Sequence, residues 1–381
     1  MTIVTHKIRI KTNKYLDNVF TSWSNCSRYS YNFVLSKWEQ WYKWNQEYLE
    51  DCQDLLITPD KECLYKVKAT EIRKELIRIK NTREDRAFLK EAPSSVLSNA
   101  SLQVGDAFDR FFKGLSSYPK FKIKDNINPR FKLDNAVVKY EDKRLKIPKI
   151  GWISLCESLR FKGRILSCVI SKRAEYWYVS LVIELDKEID TLPKTDQNIG
   201  IDLGVKTFIT DSNGNEIHSP RPLKRYLKKL KRAQRKLSRK KKGSNNYIRA
   251  KTKLAKLHNK VANIRNTFLH TTTKNIVKLY DNIVIEDLSI QQMMNKFGKD
   301  FNRSLNDLSF YEFRRQLEYK SELYRKNLII ADKYYPSSKL CSYCGYKKEN
   351  LVLTDREWTC PSCDSSHNRD VNAAKNLLKL V

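Results

Sequence analysis

The sequence predicts a multidomain α+β protein that binds a polyanion, and three observations carry this prediction. The chain has 381 residues, 40% of them apolar, which is enough for two or three domains with buried cores. Apolar residues recur every three to four positions in some segments and every second position in others. Lys and Arg outnumber Asp and Glu by 74 to 43, a formal charge of +31 that repels itself unless a polyanion neutralises it. A nucleic acid is therefore the expected partner.

The N-terminal part of the sequence predicts one short strand followed by helices. Ile8 and Ile10 alternate with basic residues, as in a half-buried strand. Apolar residues then recur with helical spacing over residues 16–41, and further helical stretches are predicted at about 68–80 and 96–115.

From residue 118 the apolar period changes to two, which predicts a small antiparallel barrel or sandwich. The candidate strands are Arg130–Lys132, Val137–Tyr140, Arg144–Ile147, Trp152–Leu155, Ile165–Ile170 and Tyr176–Leu185. The segment Asp186–Asp196 is acidic, contains a proline and has few apolar residues, which is typical of a linker.

One carboxylate after this linker stands on a strand face that glycines leave bare. In the segment GIDLGV, apolar residues point to one side of the predicted strand, whereas Gly200, Asp202 and Gly204 point to the other. That face leaves room for a backbone or a metal ion to approach closely. An acid at a strand edge or turn would be the ordinary alternative, and it suits Asp211 better.

Two further segments supply acids that could join Asp202. The strand Asn282–Leu288 ends in Glu286 and Asp287, only one of which shares the face opposite the core. Asp370 opens the last helical segment, where by itself it would be an ordinary first-turn acid. Together the three acids predict a site for Mg²⁺ or Mn²⁺. Two such ions about 4 Å apart hydrolyse phosphodiesters without a nucleophilic side chain.

Four of the nine cysteines form two tight pairs, Cys341-x2-Cys344 and Cys360-x2-Cys363, with fifteen residues between the pairs. This spacing is typical of a four-thiolate structural zinc ribbon, which keeps no open position for chemistry. His367 follows closely, but four thiolates already complete the coordination, so we do not expect it to bind the zinc.

Nothing in the sequence indicates a membrane or secreted protein. No run approaches the roughly 18 apolar residues that a membrane span needs, and the start MTIVTHKIRIK has no apolar segment of the signal-peptide type. The remaining five cysteines are scattered, so no disulfide framework is expected. We therefore expect a cytoplasmic location.

A basic segment, residues 221–280, contains 21 Lys and Arg and no Asp or Glu. Apolar stripes with helical spacing flank a break at Lys240–Asn246 and predict a helical hairpin. An ordinary soluble surface usually mixes both signs of charge, so we expect this one to bind nucleic-acid backbone. The candidate contact residues are Lys228, Lys229, Lys231, Arg232, Arg235, Lys236, Arg239 and Lys240.

The segments GIDLGV, IVIEDLSI, SSKLCSYCG, CPSC and NRDVNAAKNL, in this order, closely resemble the TnpB family. This family comprises transposon-encoded, RNA-guided DNA endonucleases related to the compact type V CRISPR effectors. Weaker similarity in SRYSYNFVL, YPKFK and RLKIPKIGWISL extends the resemblance over nearly the whole chain. The resemblance implies an RNase H-like RuvC domain whose catalytic, Mg²⁺-binding or Mn²⁺-binding triad is Asp202, Glu286 and Asp370.

The resemblance also implies a domain order. The expected parts are the first strand of a wedge domain (1–11), a helical recognition region (12–116), the wedge β-barrel (117–190), a linker (191–197) and a RuvC-like nuclease domain (198–381) that carries the basic hairpin (221–280) and an inserted zinc ribbon (337–366).

The implied partners are a guide RNA from the transposon end and a double-stranded target DNA, with guide pairing reading all but a short motif beside the target. One protein per RNA is expected, in the prokaryotic cytoplasm at the nucleoid.

Three other functions have to be weighed. A guided repressor that never cuts has no need of the three acids, and an unguided structure-selective nuclease has no need of the basic hairpin. A strand-joining transposase would need a nucleophilic Tyr or Ser motif, and none is identified. The chain ends eleven residues after Asp370, so any longer C-terminal tail of relatives is expected to be missing.

Overall fold

The chain divides into two compact units, Met1–Glu188 and Ile189–Val381. The computed structural model describes residues 2–381 with the exception of 56–57, 59–68, 125–127, 135–136, 187–190, 297 and 353. The start of the second predicted helix and part of the predicted linker lie outside the described residues. None of the helices described is long and apolar enough to cross a membrane.

The first unit combines antiparallel strands with long helices. Its strands are β1 (Ile3–Arg9), β2 (Arg130–Leu133), β3 (Lys139–Glu141), β4 (Arg144–Ile147), β5 (Gly151–Ser154), β6 (Gly163–Arg173) and β7 (Tyr176–Leu185). Its helices are α1 (Lys14–Asp54), α2 (Ala69–Thr82), a 3₁₀ helix (Glu84–Lys90) and α3 (Ser94–Phe112). The predicted antiparallel strands and helical stretches are thus confirmed, with α1 extending well beyond its predicted end.

Two antiparallel sheets hold the strands of the first unit, in the orders β1-β7-β6-β2 and β3-β4-β5. A bridge between Ile10 and Leu155 joins them. Strand β1 pairs along its length with β7, with Ile3 opposite Glu184. Side chains from α1 and the sheet form the core. Among them, Phe20 and Trp177 pack edge to face with their ring centroids 5.2 Å apart.

The second unit is built around one mixed sheet. Its strands are β8 (Asn198–Asp202), β9 (Ile209–Asp211), β10 (Glu216–Ile217), β11 (Asn282–Ile285), β12 (Asn327–Ile330), β13 (Glu357–Thr359) and β14 (Ser366–Asn368). Its helices are α4 (Pro222–Ser238), α5 (Asn245–Leu279), α6 (Ile290–Lys296), α7 (Lys299–Leu308), α8 (Phe310–Tyr324) and α9 (Arg369–Leu378).

The central sheet has the order β10-β9-β8-β11-β12. Strands β8, β11 and β12 run parallel, whereas β9 and β10 form an antiparallel hairpin at one edge. Because parallel strands end at the same edge of a sheet, the last residue of β8, Asp202, and the residue that follows β11, Glu286, meet there. Asp211 is the turn residue that its position predicted, since its carboxylate accepts hydrogen bonds from the backbone N–H groups of Asn213 and Asn215.

The basic segment folds as the predicted helical hairpin, α4 and α5, around a small core that includes Tyr226 and Leu230. A buried acid holds the hairpin to the rest of the unit. The carboxylate of Asp307, at the end of α7, accepts the first backbone N–H groups of α4, from Leu223 at 3.0 Å and Lys224 at 3.1 Å. It also pairs with Arg265 of α5 at 2.9 Å. One carboxylate therefore caps α4 and neutralises a cation of α5.

Candidate metal centres and nucleic-acid surface

Asp202 and Glu286 meet at the carboxyl edge of the central sheet. Ile201 of β8 lies opposite Ile285 of β11. The residues that come next in the chain, Asp202 and Glu286, are therefore neighbours. Burial, followed by the negative charges of Glu286 and Asp370, raises the pKa of Asp202 well above its ordinary value. Asp202 and Glu286 also share a side-chain hydrogen bond that favours the protonated form of Asp202. These surroundings therefore favour the protonated carboxyl of Asp202.

Asp370 reaches this pair because helix α9 lies directly on strand β8. The side chain of Asn368 begins the helix by accepting the N–H groups of Asp370 and Val371, both at 3.1 Å. Gly200 has no side chain to hold the helix away: a Cβ there would lie 2.0 Å from the carbonyl oxygen of Ala374. The expectation that the bare strand face admits a close backbone is confirmed.

Strand alternation left Glu286 and Asp287 as alternatives, and their contacts differ. Glu286 accepts a hydrogen bond from the Ser337 hydroxyl at 2.7 Å and lies beside Asp202. Asp287 instead pairs with Arg314 of α8 at 2.6 Å, and Arg314 also pairs with Glu318. The acid cluster thus contains Glu286, and Asp287 belongs to a separate ion pair.

Arg356 is a residue of this site that the sequence analysis missed. Arg356 lies in the loop before β13, and a nitrogen of its guanidinium is 3.1 Å from both carboxylate oxygens of Asp370. No periodicity or motif in the sequence points to this arginine, because the pairing joins a loop to a helix through the tertiary fold. Its charge offsets part of the repulsion among the three acids.

The three acids suit a hard divalent cation. Carboxylate oxygens are the ligands that Mg²⁺ and Mn²⁺ prefer. Burial is the largest cause of the raised pKa of Asp202; the negative charges of Glu286 and Asp370 come next, and the charge of Arg369 opposes them without cancelling the shift. A cation would supply further positive charge.

The four paired cysteines form one cluster, with all four sulfur atoms within 4.8 Å of one another. The Sγ atoms of Cys341 and Cys363 are 3.6 Å apart, as are those of Cys344 and Cys360. A tetrahedral zinc with Zn–S bonds of about 2.3 Å requires sulfur atoms about 3.8 Å apart. The donor set and its spacing therefore fit a structural zinc.

Hydrogen bonds prepare one of these sulfurs as a thiolate. Burial raises the pKa of Cys341, but backbone N–H groups in the loop that reaches Cys344, together with the Ser365 hydroxyl, lower it to about 5. His367 contacts the same sulfur, with Nε2 3.1 Å from Cys341 Sγ and 2.9 Å from Ser365 Oγ. Within the described residues, the ligand cluster that could hold a zinc consists of the four cysteines, and His367 lies against it as a hydrogen-bonding neighbour.

All eight cations proposed to contact nucleic acid are exposed, on α4 and the turn that follows it. The apolar side chains of α4, Tyr226 and Leu230, face α5 and are buried. The helix therefore presents a basic face to solvent and an apolar face to its partner.

Comparison with family models gives matches to three segments of the chain. The family model OrfB_IS605, described as a probable transposase, matches residues 180–296. A Cas12f1-like TNB domain matches 310–377, and a helix-turn-helix domain matches 1–47, where the structure contains β1 and most of α1.

Two curated relatives match most of their own length as well. The "Putative RNA-guided DNA endonuclease" of Streptomyces pristinaespiralis is 35% identical over 299 residues, 77% of this chain and 73% of the relative. The "Putative RNA-guided DNA endonuclease InsQ" of Escherichia coli K12 is 33% identical over 317 residues, 80% of this chain and 78% of the relative. The chain belongs to the TnpB family.

Among solved structures, this TnpB-family chain is similar to a Cas12f1–sgRNA–target DNA complex studied by cryo-EM, with 17% identity, a TM-score of 0.35 and 99% coverage of both chains. The TnpB-family segment that matches the TNB domain, residues 310–377, contains the cysteine cluster, Ser337, Arg356 and Asp370.

Proposed function

We propose that this chain is the RNA-guided DNA endonuclease of a transposable element. The single observation that carries the proposal is the cluster of Asp202, Glu286 and Asp370 at one sheet edge, where the pKa of Asp202 is raised. Membership of the TnpB family, whose matched relatives carry the printed name RNA-guided DNA endonuclease, supports the same conclusion.

The three acids are the catalytic residues of this proposal and hold Mg²⁺ or Mn²⁺. When bound, the ions activate a water and stabilise the leaving oxygen of a phosphodiester. Asp202 would bind the ion as a carboxylate, and Arg356 orients the Asp370 carboxylate by hydrogen bonds to both of its oxygens. The order and directions of the five strands around Asp202 support an RNase H-like, RuvC-type domain over residues 198–381.

The remaining parts follow from the same family. The four cysteines hold one structural zinc within a ribbon at residues 337–366, directly before the helix that carries Asp370. The two antiparallel sheets of the first unit belong to a wedge β-barrel, formed by residues 1–11 and 117–190, and residues 12–116 form the recognition region.

The partners are a transposon-derived guide RNA and a double-stranded target DNA. The exposed cations of α4 contact their backbones, because phosphate contacts need charge and no base information. One protein acts per RNA, in the cytoplasm of a prokaryote.

The deciding experiment purifies the chain together with the RNA that it binds in the cell. Sequencing this RNA identifies the guide, and a DNA target that matches the guide is then incubated with the complex and Mg²⁺. We expect cleavage of the matched target only, and none with Asp202→Ala. Guided binding without cleavage would establish a repressor, and cleavage that ignores the RNA would establish an unguided nuclease.

A further inference from the structure

The Ser337 hydroxyl points at an acid of the cluster instead of at the backbone. Ser337 is buried, with 5% of its surface exposed, and its Oγ lies 2.7 Å from Oε1 of Glu286. The two residues are 51 positions apart in the sequence, so local geometry does not impose this contact. A hydroxyl donor at this distance restricts the orientation of the carboxylate that accepts its hydrogen bond.

Two buried asparagines of α9 hold the backbone of Ser337 and of the residues that follow it. Asn376 donates to the carbonyl oxygens of Ser337 at 2.8 Å and Leu340 at 2.6 Å. Asn372 donates to Leu340 O at 2.6 Å and accepts the N–H of Ser342 at 2.9 Å. Together Asn372 and Asn376 form what we call the asparagine clamp.

The clamp leaves little freedom to the segment that it holds. Asn372 is 1% exposed and Asn376 is 2% exposed, so each lost hydrogen bond would leave a buried polar group without a partner. The two asparagines lie one helical turn apart and face the same segment. Asp370 lies in the first turn of the same helix, so α9 carries one acid of the cluster and fixes the backbone of Ser337, which contacts another.

We infer that Ser337 is a positioning residue for Glu286, held in place by the asparagine clamp, and that it sets the affinity of the acid cluster for its divalent cation. This inference rests on the proposed function of the three acids. Hydrogen-bonding partners of metal-ligating carboxylates typically contribute a factor of 10 to 100 in metal affinity or activity. Ser337 fits that role because it contacts Glu286 without joining the acid cluster itself.

The first test measures Mn²⁺ binding to the full-length chain by electron paramagnetic resonance, counting only the binding that Asp202→Asn removes. We expect Ser337→Ala to raise the dissociation constant roughly 10- to 100-fold. Ser338→Ala removes a hydroxyl from the adjacent residue and is the matched control, with an expected affinity close to that of the unmodified chain. Equal affinities in the two variants would overturn the inference.

A pair of variants with the same shape guards against misfolding. Ser337→Thr keeps the hydroxyl and Ser337→Val does not, while both add a methyl group. We expect the threonine variant to bind Mn²⁺ much more tightly than the valine variant, with equal zinc content and melting temperature. If the two bind Mn²⁺ equally, the hydroxyl does not position Glu286.

A double-mutant cycle separates positioning from a general structural role. In a Glu286→Gln background, Ser337→Ala should cost no further Mn²⁺ affinity, because the carboxylate that it positions is gone. The same loss in both backgrounds would overturn the inference. If the unmodified chain shows guided cleavage and Ser337→Ala keeps its Mn²⁺ affinity, the inference is rejected and the proposed function stands. Mn²⁺ binding that does not depend on Asp202 would reject the proposed function and the inference together.

Discussion

Gly200 and Ala374 are so close that a Cβ on the glycine would lie 2.0 Å from the alanine's carbonyl oxygen. The same Cβ would lie 2.6 Å from the backbone nitrogen of Leu378. Both contacts involve helix backbone, which cannot rotate away as a side chain can. The distance between β8 and α9, and with it the distance between Asp202 and Asp370, therefore depends on a missing side chain.

We expect Gly200→Ala to move α9 and to destabilise the protein by about 1 to 3 kcal/mol, the usual cost of overpacking. Cleavage should fall further than stability, because Asp370 leaves the acid cluster. Thermal unfolding and guided cleavage measure the two effects. Gly298→Ala is the control, since a Cβ there meets no atom within 4 Å. Equal behaviour of the two variants would contradict the close approach.

Glu286 and Asp287 are neighbours with different contacts, which predicts different effects of substitution. Glu286→Ala should abolish guided cleavage in Mg²⁺ and leave RNA and target binding nearly intact. Asp287→Ala removes only a partly exposed ion pair, worth up to about 1 kcal/mol. We therefore expect this variant to cleave the target substantially better than Glu286→Ala does. Cleavage and gel-shift assays on both variants decide this, and wild-type cutting by Glu286→Ala would refute the assignment.

The raised pKa of Asp202 predicts that the site costs stability when no divalent cation is bound. A carboxyl whose folded pKa is raised contributes stability that is full below its ordinary pKa and is lost as the pH rises through the raised value. Asp202→Asn cannot ionise, so its melting temperature relative to the unmodified chain should increase from acidic to neutral pH. The comparison uses zinc-loaded protein without added Mg²⁺.

Added Mg²⁺ should reverse this order. A cation that binds only the folded state raises the melting temperature of the unmodified chain and leaves Asp202→Asn nearly unchanged. A melting-temperature difference between the two proteins that is independent of both pH and Mg²⁺ would show that Asp202 does not titrate as its surroundings indicate.

The basic face of α4 predicts a strong dependence of target binding on salt. Each phosphate contact on duplex DNA contributes about −0.9 to the slope of log affinity against log salt. Replacing six cations together should flatten that slope and weaken the binding of matched and mismatched targets about equally. These cations are Lys228, Lys229, Lys231, Arg232, Arg235 and Lys236. The measurement is target binding across a salt series with guide RNA saturating, and an unchanged slope would mean that the nucleic acid lies elsewhere.

Local sequence patterns were sufficient to predict much of the second unit. The alternation around Asp202, the cysteine spacing and the helical stripes of the basic hairpin each depend on residues close together in the chain. Helices α6, α7 and α8 were not predicted, although Phe310, Phe313 and Leu317 have helical spacing and are buried. This spacing is typical of an amphipathic helix and is sufficient to predict α8.

Other features could not have been predicted from local patterns. Alternation states only that Glu286 and Asp287 face opposite sides, and the contacts that distinguish them come from Ser337 and Arg314. The pairing of Arg356 with Asp370 likewise joins two segments through the folded ribbon. Such contacts depend on the distances between elements in the folded protein, and sequence periodicity does not predict these distances.

The pairing of β1 with β7 delays folding of the first unit during synthesis. The ribosome makes Ile3–Arg9 about 170 residues before its partner Tyr176–Leu185. At 5 to 20 residues per second this interval lasts roughly 10 to 30 s. An unpaired strand is prone to aggregate in that time, and the exposed charges of Lys7 and Arg9 oppose strand-to-strand association between nascent chains.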